Sequence, residues 1–341
     1  MRRDNCFDFL RFIFAFNVVL GHLMVIAVLP AFQPYTHVFD TGLSVTGFFV
    51  ISGFLIAQSY ERSTLKSYFI KRAKRLLPAY LFVIFACAIG LVGLSSLPAL
   101  AYYSSAEWWK YICANVCFLN FLQPSLPGVF DNPLINESSV NPALWTLKIE
   151  VGFYLIVPLL ILWLRKSKRP WLVLCAIYIF AVFYREGLLM LSQMKENNMF
   201  AFLSRQLPGF MSYFAAGIAG YLYKDTFIRY KRYLIIPAIL VFATEYYFGV
   251  ECLTPLAWAI IVLWAAFSLP ALNNFAKYGD ISYGIYIYHG PILKILLSVG
   301  CFTAIGAWPA AVVYIVSVLL FGFASWHWLE NRFLQRKSPT P

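Results

Sequence analysis

Apolar runs of about twenty residues recur along the chain, separated by short clusters of Lys and Arg. At a rise of 1.5 Å per residue, a run of about twenty is what a helix needs to cross a hydrocarbon layer of about 30 Å. The chain of 341 residues is 61% hydrophobic and 12% charged, against about 25% charged in soluble domains. The predicted class is therefore an all-α polytopic membrane protein bound to a lipid bilayer. The net charge of +12 does not call for nucleic acid, because its cations lie between apolar runs, where they set topology. The seven cysteines show no metal-ligand spacing. Even Cys113 and Cys117, at i and i+4, read as small apolar fillers, and no metal is expected.

Ten spans are expected, over about 7–29, 42–60, 79–97, 145–164, 171–190, 207–223, 233–248, 253–272, 281–299 and 307–329. The basic start Met1-Arg2-Arg3 lacks a cleavage site downstream, so the first span is read as retained. The strongest basic cluster, taken as a loop, holds Arg62, Lys66, Lys71, Arg72, Lys74 and Arg75. Others lie at Arg165–Arg169, at Lys224 to Arg232 and in the tail 330–341. With a cytoplasmic N-terminus all of them fall inside, and the outer loops keep scattered Lys110, Lys195 and Arg205, so both ends are predicted to be cytoplasmic. One membrane domain, 1–341, is expected. Its extracytoplasmic connection, about 98–142, carries an interfacial helix in EWWKYICANVCFLNF.

Four polar groupings stand out against this background. Arg11 and His22 are eleven residues apart, about 16 Å along a helix and on nearly the same face. Ionisable groups inside a span face a partner or a cavity, and the structural alternative is a snorkelling Arg with an interior His. Arg72-x-x-Arg75, flanked by Lys71 and Lys74, suits phosphate oxygens, or else anchors lipid headgroups. Glu150, near Lys148 and Trp145, is a salt-bridged carboxylate or an acid/base and orienting group. Ser282, Tyr286 and His289 share one helix face in ISYGIYIYH, the alternative being a wet helix seam. Together they favour a membrane-embedded active site over a passive channel.

These blocks resemble the integral-membrane acyltransferase-3 family of bacterial envelope O-acyltransferases. The resemblance covers nearly the whole chain: Arg11-x10-His22, FFVISGFLI (48–56), KRAKRLLPAY with Arg72-x-x-Arg75, WTLKIEVGFYLIVPLL with Glu150 and Tyr154, and GDISYGIYIYH with Ser282-x3-Tyr286. Two departures are Gly47 after Thr46, where relatives are often polar, and Glu330-Asn331-Arg332, which lacks a Pro and leaves Glu330 unassigned.

The resemblance implies transfer of acetyl from cytoplasmic acetyl-CoA, a co-substrate rather than a resident cofactor, to a hydroxyl of a surface saccharide or its lipid-linked precursor. Arg11, Lys71, Arg72, Arg75, Ser282 and His289 would bind the acyl donor. His22 would be the general base, Glu150 would orient it or balance its charge, and Tyr286 would bind the thioester carbonyl or carry the acyl group. The place implied is the bacterial inner membrane. With no SGNH domain after the tenth span, the membrane domain itself is expected to make the transfer. Acceptor, oligomeric state, and direct or relayed transfer stay open. The competing readings are a proton-coupled transporter or flippase of envelope precursors, acylation of a small molecule or lipid, and a non-enzymatic assembly partner.

Overall fold

A computed structural model describes residues 5–334, so the basic start at Met1-Arg2-Arg3 and the tail beyond Leu334 lie outside the described residues. The helices, in order, are α1 (Phe7–Ile26), α2 (Thr41–Glu61), α3 (Leu65–Gly90), α4 (Ala99–Ser104) and α5 (Ala106–Val116). After an irregular segment follow α6 (Leu144–Lys166), α7 (Pro170–Lys195), α8 (Asn198–Ser204), α9 (Leu207–Leu222) and α10 (Lys224–Phe248). The last are α11 (Thr254–Ser268), α12 (Ser282–Ser298), α13 (Cys301–Ala304), α14 (Ala307–Ala324) and α15 (Asn331–Leu334), with a π-helical turn over Ser325–Glu330. No strand forms among the described residues, where the β-pairing is a single bridge between Ala27 and Ile135.

The all-helical expectation holds. Ten helices among the described residues have fifteen residues or more. Six segments, built on α1, α2, α3, α6, α7 and α14, are long and apolar enough to cross a membrane. A seventh is added if α11 and Pro270–Tyr278, bent by 74°, count as one span. At 16 and 17 residues, α9 and α12 fall short in length, and α10 opens on Lys224, Asp225, Arg229, Lys231 and Arg232.

The basic stretch at 62–75, expected as a loop, is mostly helical. Thr64 caps α3 by accepting from the Ser67 amide (3.3 Å), and no helix breaker intervenes before Pro78. Lys71, Arg72, Lys74 and Arg75 therefore project from a rigid rod at defined angles. In the same way α10 begins at Lys224, nine residues before the expected span. A second correction concerns the eighth span, which breaks at Pro270, where proline cannot donate the next helical hydrogen bond.

The chain divides into two compact units. One holds the described parts of Met1–Leu10, Gly42–Phe69 and Ile149–Phe275; the other holds Arg11–Thr41, Ile70–Lys148 and the described part of Ala276–Pro341. In the first, α2 and α9 touch backbone to backbone. A Cβ on Gly53 would strike the Phe214 carbonyl, and one on Gly217 would strike that of Val50. Small residues permit such approaches between membrane helices, where packing replaces the hydrophobic driving force. The Phe153 and Phe214 rings stack at 3.9 Å beside this crossing, with Phe49 edge-on to Phe153.

The crossing makes a stability prediction. Gly53→Ala and Gly217→Ala should each cost about 1–3 kcal/mol through overpacking, read as a lowered thermal midpoint in detergent. Gly187→Ala, whose Cβ meets open space, should cost nothing; equal midpoints for all three variants would contradict the crossing.

Candidate active site

The second unit carries two polar centres. The first gathers around Asp280, two residues before α12 begins. Arg11 on α1 and Arg75 on α3 both donate to Asp280 Oδ2, at 2.7 and 2.6 Å. Ser282 donates to Oδ1 through its hydroxyl (2.5 Å) and its amide (3.2 Å). The carboxylate thus sits at the N-terminus of α12, the favourable end of the helix dipole. Arg75 also reaches Glu330 Oε2 at 3.5 Å and lies against the Tyr283 and Trp326 rings. Glu330 is only 1% exposed, and Ser325 donates to its other oxygen at 2.9 Å. The π-helical turn at 325–330 carries both residues, and such turns recur at functional sites.

Two guanidiniums thus face two carboxyls. Burial works to raise the Asp280 carboxyl, but Arg11, Arg75 and Ser282 outweigh it and hold the group well below the usual carboxylate range. Its stabilising contribution is complete above the unfolded-state value of about 3.9 and is lost only as pH falls towards the lowered native one.

The second centre is a pair of imidazoles. His22 on α1 and His289 on α12 approach at 2.7 Å, Nδ1 to Nε2, with ring centroids 4.9 Å apart. His289 is completely buried and its Nδ1 lies 2.7 Å from the Tyr286 carbonyl oxygen. His22 is half-buried. The Tyr286 hydroxyl pairs with Thr146 at 2.7 Å and reaches the Ala143 carbonyl at 3.5 Å.

A strap over residues 134–146 holds this second centre. Its start pairs with the end of α1, Val28 donating to the Leu134 carbonyl and Asn136 to that of Ile26, each at 3.0 Å. Its middle is fixed by Lys294 on α12, 0% exposed, which donates to the carbonyls of Glu137 (2.8 Å) and Ser139. Next, Asn141 donates to the Ile287 carbonyl at 2.8 Å. That carbonyl is available because Pro291, four residues on, has no N–H to offer it. Gly290 admits the strap, since a Cβ there would meet Pro142 at 2.8 Å. His289-Gly290-Pro291 is thus one local device: a ring set against His22, a gap for the strap, and a proline that leaves the Ile287 carbonyl to Asn141.

Of the residues picked from sequence, Arg11, Arg75 and Ser282 meet at Asp280, while His22, His289 and Tyr286 gather at the imidazole pair. Lys71 and Arg72 are half-buried on the preceding turn of α3. Glu150 belongs to the other unit, where Tyr154 donates to it at 2.7 Å and Ser52 at 3.4 Å. The Nδ1 of His22, which an orienting carboxylate would take, is engaged by His289. Sequence reasoning missed Asp280, Lys294, Asn141 and Thr146 and left Glu330 aside. The signals were present: a Gly-Asp before a helix start, and one Lys amid the apolar residues of the ninth expected span.

Helices of membrane length, together with the His and Arg constellation inside the second unit, define a multi-pass membrane protein with an internal polar site. Residues 4–327 match the family model described as an acyltransferase domain, and the chain belongs to this acyltransferase-3 family. It is 25% identical over 359 residues to the O-acetyl transferase of Shigella phage Sf6, covering 99% of this chain and 98% of that protein. To nodulation protein 10 of Rhizobium leguminosarum bv. viciae it is 27% identical over 351 residues, 96% and 92% of the two chains. A further stretch of 147 residues, 38% of this chain and 21% of the other, is 33% identical to O-acetyltransferase OatA of Staphylococcus aureus. No solved structure matches the chain.

Removing the Asp280 charge leaves two half-buried guanidiniums with Glu330, 3.5 Å from Arg75, as the remaining carboxyl. Asp280→Asn should therefore cost on the order of 3–5 kcal/mol of stability, as when one partner of a buried ion pair is deleted. Thermal unfolding in detergent at neutral pH measures this; a midpoint equal to wild type would contradict the Asp280-centred cluster.

Proposed function

We propose that this chain is an O-acetyltransferase of the bacterial inner membrane. It would take acetyl from acetyl-CoA at the cytoplasmic face and pass it to a hydroxyl of a surface saccharide or its lipid-linked precursor. The observation that carries the reading is the half-buried His22 imidazole, held through Nδ1 so that Nε2 faces away from its partner, on the helix that also carries Arg11. Membership of an acyltransferase family supports the reaction class, and the names of the phage and staphylococcal relatives support acetyl and oxygen as group and acceptor.

In this reading the chain makes ten spans with both ends in the cytoplasm. The basic clusters on α3, at the end of α6 and on α10 support that sidedness. Lys71, Arg72, Arg75 and Arg11 take the phosphates of the donor, with forked guanidiniums matching phosphate oxygens. Ser282 lines the donor path, which runs along α1 over the roughly 16 Å between Arg11 and His22.

His22 Nε2 removes the proton of the acceptor hydroxyl as its oxygen attacks the thioester carbon. The C–S bond then breaks, and the thiolate of CoA leaves with that proton, returned by His22. We favour direct transfer over an acyl-tyrosine relay, since the Tyr286 hydroxyl is buried and engaged by Thr146.

The test is equilibrium binding of radiolabelled acetyl-CoA to protein in nanodiscs. Arg72→Ala/Arg75→Ala should weaken binding at least tenfold, about 1.4 kcal/mol, while His22→Ala binds as wild type does. Wild-type protein that is folded and binds no acetyl-CoA would overturn the donor assignment. It would favour the transporter, which has no reason to recognise CoA.

A further inference from the structure

We propose that His289 is a positioning residue for His22: it fixes the ring proton of His22 on Nδ1 and so reserves the Nε2 lone pair for the acceptor hydroxyl. The inference rests on His22 being the base.

Proton bookkeeping carries it. The Tyr286 carbonyl can only accept, so the His289 Nδ1 that lies 2.7 Å from it must carry the hydrogen. A neutral imidazole protonated on Nδ1 has its lone pair on Nε2. That nitrogen is the one 2.7 Å from His22 Nδ1. With both rings neutral, His22 Nδ1 must be the donor, and its own lone pair falls on Nε2. One backbone carbonyl thereby sets the tautomer of two rings in series. The third-group logic is that of nucleophile and base pairs oriented from behind.

The geometry also favours the transition state. When His22 takes the hydroxyl proton, its Nδ1–H donor becomes part of a cation. The bond to His289 then strengthens, as charge-assisted hydrogen bonds do. A bond that tightens only as charge develops raises turnover and not ground-state affinity. No proton need pass to His289, so nothing beyond the acceptor, the donor and His22 enters the balance of the step.

The surroundings keep His289 in register. Its neighbours Gly290 and Pro291 seat the strap, and Lys294 clamps the strap at Glu137 and Ser139. The other end of the strap pairs with Ile26 and Val28, four and six residues beyond His22. The helices bearing the two rings are thus tied together beside the dyad.

Two measurements test the proposal. The first uses membranes of producing cells, which supply their own saccharide, and follows incorporation of label from radiolabelled acetyl-CoA. His289→Leu should lower the maximal rate on the order of 100-fold, the scale of a general-base contribution, with little change in half-saturation by acetyl-CoA. His289→Gln, whose side-chain carbonyl can accept from His22 Nδ1 at the place of the lost nitrogen, should recover a large part of that loss. His289→Asn, one bond shorter, should not. Gln no better than Asn, or Leu as active as wild type, would overturn the proposal.

The second measurement needs no acceptor and reads the wild-type protein. Nitrogen-resolved NMR of wild-type protein labelled at histidine, with resonances assigned by the His22→Ala and His289→Ala spectra, should show the hydrogen on Nδ1 in both rings. Hydrogen on Nε2 of His22 would sink the proposal whatever the activities are. Should His22→Ala keep wild-type incorporation, the fault lies with His22 as base, a separate failure from a wrong tautomer.

Discussion

A polar group carried into lipid must find its partner inside the fold, because no water is available to substitute for one. The second unit is arranged around that requirement. Arg11 and Arg75 converge on one oxygen of Asp280, and Arg75 adds Glu330. Lys294, with no exposed surface, takes two backbone carbonyls of the strap. Pro291 opens a gap in the α12 hydrogen-bond ladder, and Asn141 fills it. Each solution ties together elements distant in sequence, so the polar groups that are expensive to bury also set the register of the helices that bear them.

The same requirement explains why the imidazole pair is ordered. His289 answers to a backbone carbonyl on one side and to His22 on the other. Its ring cannot turn without losing both bonds. Between the two centres runs the stretch of α1 from Arg11 to His22. In the proposed function this stretch is where a donor with an anionic head and a thioester end would lie.

Much of the fold was legible in the sequence, because apolar runs bounded by basic clusters are a strong signal in a chain with so few charges. The limits came where local rules compete. The stretch from Lys66 to Arg75 is polar enough to read as a loop. It is helical because Thr64 caps it and every residue before Pro78 permits a helix. Lengths near the threshold, as in α9 and α12, leave span number undecided by composition.

The site was legible by residue type and only partly by pairing. His22, Arg11, Arg75, Ser282, Tyr286 and His289 stand out as polar residues in apolar helices. Asp280 and Glu330 did not, since a carboxylate at a helix start or near a chain end is unremarkable until its partner is seen. That His22 and His289 touch, 267 residues apart, is a tertiary fact with no local signature. The most direct measurement of the whole account is ester formation itself, in membranes given radiolabelled acetyl-CoA, comparing wild type with His22→Ala. The account predicts alkali-labile label in the saccharide fraction with wild type and none above background with the variant. Equal labelling by the two proteins would contradict it.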